Sequence, residues 1–223
     1  MDVQLTVIEA RVLGALIEKE RTTPAYYPLS LNALTNACNQ KSNRDPVMSL
    51  SDRQVAEALE QLHDRGLVYQ RTVTGARAVK YAQRLLSVSD FTEQEIGVLC
   101  VLLLRGPQTP GEIRSRTGRL CTFEGLAEVD ATLKNLATRE DGPYVKQLPR
   151  ERGRREQRYA HLFCGEVSVE QHASVPEPLG APVAATAAVP DEQSTSLAEQ
   201  IAALRAEVDE LKEQFATFKQ QFE

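Results

Sequence analysis

One pattern of apolar residues occurs twice in the sequence, and this internal repeat restricts the fold more than any other feature. In each copy a glutamate is followed by apolar residues three, four and seven positions later, and the two copies are offset by 86 residues. The matched residues are Glu9, Val12, Leu13 and Leu16 in the first copy and Glu95, Val98, Leu99 and Leu102 in the second. This spacing places the apolar residues on one face of a helix.

A second helix is repeated at an offset of 74 residues. Its matched residues are Val55, Ala58, Leu59 and Leu62 in the first copy and Val129, Thr132, Leu133 and Leu136 in the second. A shorter helix is predicted between the repeated ones, over Leu29–Cys38 and over Pro110–Thr117. Four helices begin with a capping box, in which two side chains satisfy free backbone amides. The boxes pair Thr6 with Glu9, Ser51 with Gln54, Thr92 with Glu95 and Thr109 with Glu112.

Two short strand patterns follow the third helix of each copy. They are predicted over Leu67–Val73 and Arg77–Tyr81 in the first copy, and over Tyr144–Leu148 and Gln157–Phe163 in the second. Three helices followed by a β-hairpin are typical of the winged helix, a variant of the helix-turn-helix. The sequence thus predicts a mainly α fold with small β-hairpins (α+β), with a first winged-helix domain at residues 1–88 and a second at residues 89–165.

The first copy is twelve residues longer than the second between its first and third helices. The additional residues fall in two polar or proline-rich stretches, Thr22–Leu29 and Asn39–Pro46, whose composition excludes them from a core. Loops longer than a connection requires often carry function. A neutral surface loop is the alternative for any single residue there.

Two stretches that include most of these additional residues also carry a family resemblance. Thr23–Asn32 and Asn36–Pro46, together with the body over Leu5–Phe163, resemble the bacterial YceH-like family of uncharacterised proteins. The resemblance implies a tandem winged-helix architecture. It implies no activity, substrate or binding site.

The last part of the chain has a different composition. Residues 166–193 are rich in Ala, Val, Pro, Ser and Glu without periodicity, which predicts a disordered linker. Residues 194–223 carry a heptad repeat that predicts a coiled coil and hence a homodimer. Its apolar positions are Leu197, Ile201, Leu204, Val208, Leu211, Phe215, Phe218 and Phe222. A helix folded back onto the body, or a seam for a higher oligomer or a partner protein, is the alternative.

Composition restricts the location and the cofactors that can be expected for this protein. Residues 166–223 hold eleven acidic and three basic residues, whereas the preceding body holds 20 acidic and 23 basic. No stretch is long and apolar enough to span a membrane, and the start lacks a basic signal-peptide region, so a cytoplasmic location is predicted. The cysteines are too dispersed for a zinc site, which leaves no metal or cofactor predicted. They are Cys38, Cys100, Cys121 and Cys164.

Arginine is concentrated in the second hairpin, where bidentate guanidinium groups suit phosphate oxygens. The first hairpin, the insertion and the third helix of the first copy add weaker candidates. The predicted nucleic-acid-binding residues are Lys146, Arg150, Arg152, Arg154, Arg155 and Arg158 in the second hairpin, with Lys41, Arg44, Arg53, Gln54, Arg77 and Lys80 elsewhere. A merely solvated hairpin is the alternative.

The third helix of each copy argues against strong base recognition, because acidic residues such as Glu57, Glu60 and Asp130 lie at its exposed positions.

Taken together, these patterns predict a non-enzymatic, dimeric DNA-binding protein, of which a transcriptional regulator is one example. A protein-docking scaffold is the second hypothesis, with Tyr26, Tyr27 and Pro28 as candidate interface residues. An enzyme is the weakest reading, since no nucleophile, phosphate-loop or zinc motif is present.

Overall fold

A computed structural model describes residues 4–71, 79–85, 90–150, 153 and 156–165. Within these ranges the fold is mixed α and β, with six α-helices and two small antiparallel sheets. The helices are α1 (Val7–Thr22), α2 (Leu31–Cys38), α3 (Asp52–Asp64), α4 (Glu93–Arg105), α5 (Pro110–Arg116) and α6 (Leu126–Thr138). The strands are β1 (Leu29–Ser30), β2 (Val68–Arg71), β3 (Lys80–Gln83), β4 (Val145–Gln147) and β5 (Tyr159–His161).

The repeated apolar positions form the core, as predicted. Val12 and Val98 are both fully buried, and so are Leu62 and Leu136. All four predicted capping boxes are confirmed, because in each the cap side chain accepts the N3 amide and the N3 side chain accepts the cap amide. The described elements follow the order of three helices and a strand pair twice, with a 3-10 turn and the short strand β1 added between α1 and α2.

The strands differ from their predicted bounds. The two residues Leu29 and Ser30 form β1, whereas the sequence placed them in the second helix. β1 pairs with β3, which also pairs with β2, so the first half has a three-stranded sheet in the order β1-β3-β2. Ser30 also accepts the amide of Ala33 as the N-cap of α2, which explains why the helix begins two residues later than predicted.

An ion pair is repeated along with the helices. Arg65 donates to the buried carboxylate of Glu9 at 3.3 Å and to the carbonyl of Gln4 at 2.6 Å. At the equivalent place in the second half, Arg139 donates to Glu95 at 3.4 Å and to the carbonyl of Asp90 at 3.0 Å. Each arginine lies directly after the third helix of its half and pairs with the glutamate that caps the first helix. It therefore links the end of the third helix to the start of the first helix.

The two halves share one core through their first helices. α1 packs on α4, and Gly14 of α1 lies in this contact. A Cβ added at Gly14 would lie only 3.0 Å from Cβ of Leu103, so the missing side chain lets the helices approach closely. The residue equivalent to Gly14 is Cys100, and its thiol lies 3.7 Å from the Gly14 carbonyl oxygen. Apolar residues of both halves form one cluster, within one compact unit. The boundary at residue 88 remains a prediction.

The second predicted insertion, Asn39–Pro46, fastens the halves to each other. The amide of Asp45 donates to the carbonyl of Leu104 in α4 at 3.0 Å. Arg105 donates to Oδ1 of Asn43 at 2.6 Å. From α1, the buried guanidinium of Arg11 donates to the carbonyl of Pro46 at 2.6 Å. The insertion is thus a structural strap in contact with both first helices.

Candidate nucleic-acid interface

The hairpin of the second half presents cationic side chains to solvent. β4 and β5 are paired antiparallel, with Val145 opposite His161 and Lys146 opposite Ala160. Val145 is buried, whereas Lys146 is exposed. Arg150, just beyond β4, is exposed as well, and Arg158 before β5 is half-buried. Arg152, Arg154 and Arg155, predicted for the same hairpin, lie outside the described residues.

The base of this hairpin is fixed to the start of α5. Gln108 and Tyr159 exchange two backbone hydrogen bonds, of 3.0 and 2.8 Å. A groove of about 260 Å³ lies between the hairpin and the starts of α5 and α6, lined by Gly111, Leu126 and Tyr159 among others. Leu126 is 47% exposed at the first turn of α6. Sequence reasoning missed this groove, because no local pattern indicates that these three segments meet.

Two carboxylates face the groove, one from Asp130 on α6 and one from Glu156 on the hairpin. Burial, followed by the charge of Asp130, raises the pKa of Tyr159. Carboxylates repel DNA phosphates, although an aspartate can accept a hydrogen bond from a cytosine amino group. The groove itself is therefore not a phosphate site, and the cationic face of this half lies on the hairpin.

The first half offers fewer available cations than predicted. Arg53 is exposed but donates to Glu57 at 2.8 Å, and this neighbour raises the pKa of Arg53 through the hydrogen bond and its charge. Gln54 is exposed and uses its side-chain oxygen to cap α3. Lys41 is exposed and Lys80 is half-buried on β3. Arg77 lies outside the described residues.

The prediction that Arg44 contacts nucleic acid is corrected by its burial. Its side chain is 0% exposed and donates two hydrogen bonds to the Glu18 carboxylate, at 3.0 and 2.6 Å. The same guanidinium donates to the carbonyl of Ala37 at 2.8 Å. Burial opposes the charge on Glu18, but the hydrogen bonds and charge of Arg44, together with Lys19, outweigh it, so the pKa of Glu18 is lowered. Arg44 therefore stabilises the interior.

The side-chain amides of Asn39 and Gln40 in the insertion also form hydrogen bonds within the protein. Asn39 donates to the carbonyl of Leu50 at 2.7 Å and accepts the Leu50 amide at 2.7 Å. Gln40 accepts hydrogen bonds from Lys19 and Arg44 through Oε1. The sequence predicts nucleic-acid contacts by the insertion. In the structure, however, these two side-chain amides form hydrogen bonds within the protein.

The thiols have the character of small apolar groups. Burial raises the pKa of Cys38 to about 12 and that of Cys121 and Cys164 to about 11. Thiols with such pKa values stay protonated near neutral pH and are weak nucleophiles. Among the described residues no three His, Cys, Asp or Glu side chains cluster as metal ligands. In the same ranges no helix has the length and apolar character needed to cross a membrane.

Comparison with known proteins places the chain in a family. Residues 5–154 match the family described as "Protein of unknown function, DUF480". A UPF0502 protein of Vibrio parahaemolyticus is 52% identical over 227 residues, covering 100% of this chain and 98% of its own. UPF0502 proteins of Aeromonas hydrophila and Photobacterium profundum are each 48% identical and cover 97% and 96% of this chain and 98% and 97% of their own. The chain therefore belongs to the DUF480, or UPF0502, family of bacterial proteins, which agrees with its YceH-like resemblance.

Proposed function

We propose that this protein binds duplex DNA without catalysing a reaction, and that each half is a winged helix whose hairpin is the wing. The observation that carries the proposal is the second hairpin, where exposed Lys146 and Arg150 flank the arginine-rich stretch of the sequence. Guanidinium and ammonium groups on a projecting hairpin suit phosphate contacts, which supply most sequence-independent affinity.

Helix geometry supports the same proposal for the second half. α5 and α6 follow each other in the chain, joined by residues 117–125, and the hairpin base is bonded beside the start of α5. In helix-turn-helix proteins the start of the second helix meets the base edges. Here that start carries Leu126 and Asp130, which supply few base contacts. The proposal therefore assigns most of the affinity to phosphate contacts by the hairpin.

The first test is fluorescence anisotropy with a random-sequence duplex over a salt series. Replacing Arg152, Arg154 and Arg155 with Ala should weaken binding by about tenfold or more at low salt, because three phosphate contacts are removed. The slope of log affinity against log salt should fall by about 0.9 for each lost contact. The loss should be the same for unrelated DNA sequences, because phosphates carry no sequence information.

A matched control removes three cations from the first half. Lys41, Arg53 and Arg71 are all exposed, and replacing them with Ala changes the net charge equally. Because these cations are the weaker candidates, the control should lose clearly less affinity than the variant of the second hairpin. Equal losses in the two triple variants would show that only net charge matters, and this would contradict the role assigned to the hairpin.

The proposal includes a homodimer formed by the heptad repeat, which lies outside the described residues. Deleting residues 197–223 should halve the mass measured by light scattering after gel filtration, because a two-stranded coil needs its apolar seam. Replacing Leu204 and Leu211 with Asp should have the same effect, whereas Glu207→Gln, outside the seam, should leave the mass unchanged. A mass that survives both the deletion and the double substitution would contradict the coiled coil.

A protein-docking scaffold is a second candidate, and one exposed aromatic side chain favours it. Tyr26 is 77% exposed on the turn before β1. Tyr27, in contrast, is half-buried and accepts the Gln83 amide through its hydroxyl at 2.7 Å, so of this pair only Tyr26 is available as an anchor. Aromatic anchors are common at the centres of protein interfaces. A scaffold would lose its partner on Tyr26→Ala and show no affinity for DNA at low salt.

A further inference from the structure

A cavity lies on the seam between the two halves, away from the hairpin. Its volume is about 190 Å³, and its walls come from the end of α1, the insertion, α4, and the residues that end and follow α5. Cys100, Val101 and Leu104 contribute apolar groups from α4. Most of the other lining residues are polar, and most of the charged ones are cationic.

Four cations line this cavity: Lys19, Arg105, Arg116 and Arg119. Among the described residues the one carboxylate that lines it is that of Glu18, which accepts two hydrogen bonds from the buried Arg44 and pairs with Lys19 at 3.1 Å. Lys19 and Arg105 occupy equivalent positions at the ends of α1 and α4, at the repeat offset of 86 residues. Each half therefore contributes one cation to the cavity from the same position of the repeat.

The partners of these cations leave positive charge in excess. Arg105 donates to a neutral amide, that of Asn43, at 2.6 Å. Arg116 lies 3.5 Å from Glu112 on its own helix, which is a long contact for an ion pair. Arg119 is exposed and has no hydrogen bond or ion pair with any residue in the described ranges. Burial and the charge of Arg116 lower the pKa of Arg105, although Asp45 and Glu112 partly offset them.

We propose that this cavity is a binding site for a small phosphate-bearing anion, held by Arg105, Arg116, Arg119 and Lys19. Guanidinium groups match the geometry of phosphate oxygens and form pairs of charge-assisted hydrogen bonds with them. The hydroxyl group of Ser42 on the same walls adds a neutral donor, whereas those of Thr22 and Thr23 already donate to the carbonyls of Glu18 and Lys19. An anion bound here would also relieve the mutual repulsion of the arginines.

The volume limits the ligand to a small molecule. At about 30 Å³ for each water, the cavity holds about six water molecules. Pockets for drug-sized ligands begin at about 300 Å³, so a free phosphate, a pyrophosphate or a small phosphorylated metabolite fits and a DNA segment does not. Because the cavity walls come from both halves, the bound anion stabilises the seam. The site uses none of the hairpin residues and does not depend on the proposed DNA binding.

The test is isothermal titration of the full-length protein with pyrophosphate, against sodium chloride at matched ionic strength. We expect saturable binding, and a rise in melting temperature with pyrophosphate concentration because the ligand binds only the folded protein. The double variant Arg116→Gln with Arg119→Gln should bind at least about tenfold more weakly, since two charge-assisted contacts are lost. The single variant Arg119→Glu, at an exposed position, should show the same loss without a change in the ligand-free melting temperature.

The matched control is Arg53→Gln, which removes an exposed arginine that does not line the cavity and should keep the pyrophosphate affinity. Absence of saturable heat with pyrophosphate would overturn the proposal, and so would equal affinity in the double variant and in the wild type. A duplex titration separates the two phosphate sources. If the double variant lost affinity for duplex DNA and kept it for pyrophosphate, the two arginines would belong to the DNA surface and the cavity site would be refuted.

Discussion

Replacing Arg44 with alanine should lower the free energy of unfolding by about 3–5 kcal/mol, because it removes the buried bidentate partner of Glu18 and leaves only the Lys19 contact at 3.1 Å. The side chain of Glu18 is only 10% exposed and that of Arg44 is 0% exposed. The substitution also removes the donor to the Ala37 carbonyl. Urea unfolding followed by far-ultraviolet circular dichroism measures the change, since the chain contains no tryptophan.

An exposed ion pair provides the control for this prediction. Arg53 contacts Glu57 at 2.8 Å on the surface of α3, so Arg53→Ala should leave the unfolding midpoint unchanged within error. Adding Glu18→Gln to Arg44→Ala should recover part of the lost stability, because the uncompensated charge is removed. If Arg44→Ala cost no more than Arg53→Ala, the interior role of Arg44 would be wrong.

The same pair makes a prediction about pH. The pKa of Glu18 is lowered from 4.5 in the folded protein, so the ion pair contributes stability above pH 4.5. This contribution is lost as the pH falls through the folded pKa, when Glu18 is protonated. In the Arg44→Ala variant only Lys19 still opposes the effect of burial on Glu18, so the pKa of Glu18 rises relative to that in the wild type. The deficit of the variant should therefore be largest at neutral pH and shrink in acid.

Replacing Phe163 with alanine should lower the free energy of unfolding by about 3–5 kcal/mol, as truncation of a fully buried phenylalanine does. Phe163 is 0% exposed, and its ring lies 5.8 Å from that of Tyr144 and 6.1 Å from that of His161. Its carbonyl oxygen accepts the amide of Leu5 at 2.6 Å, which holds the start of the first half against the end of the second. Chemical denaturation again measures the effect.

Two further variants provide stability changes for comparison with that of Phe163→Ala. Phe163→Leu keeps most of the buried volume and should cost much less than Phe163→Ala. Leu126→Ala removes a side chain that is 47% exposed and should have a small effect. A Phe163→Ala cost similar to that of Leu126→Ala would show that the ring is dispensable. The family match ends at residue 154, so this test also asks whether residues beyond the match belong to the folded core.

Local signals in the sequence predict the helices well. A capping box needs only residues within one turn, and all four predicted boxes are present. The repeated apolar face likewise identifies the core positions of α3 and α6. β1 was missed because two residues are too few for an alternating pattern, and their pairing with β3 depends on residues about fifty positions later.

The candidate sites were harder to predict, because they depend on contacts between distant residues. Arg44 stands in a polar stretch and is typical of a surface residue, but its partner Glu18 lies 26 positions earlier. The cavity cations come from separate segments of the chain, and none belongs to a motif. A signal for the seam did exist: residues 96–104 of α4 are buried on every side, as expected for a helix that is apolar all round.

The contact of Gly14 with Cys100 joins equivalent positions of the two copies. Equivalent residues meet in this way across a twofold axis, as in the isologous interface of a symmetric homodimer. A shorter chain with a single copy would expose the same helix and would cover it by pairing with itself. In this chain both partners of that pairing belong to one polypeptide, so the pairing does not depend on protein concentration, and each copy has its own hairpin and connecting loops.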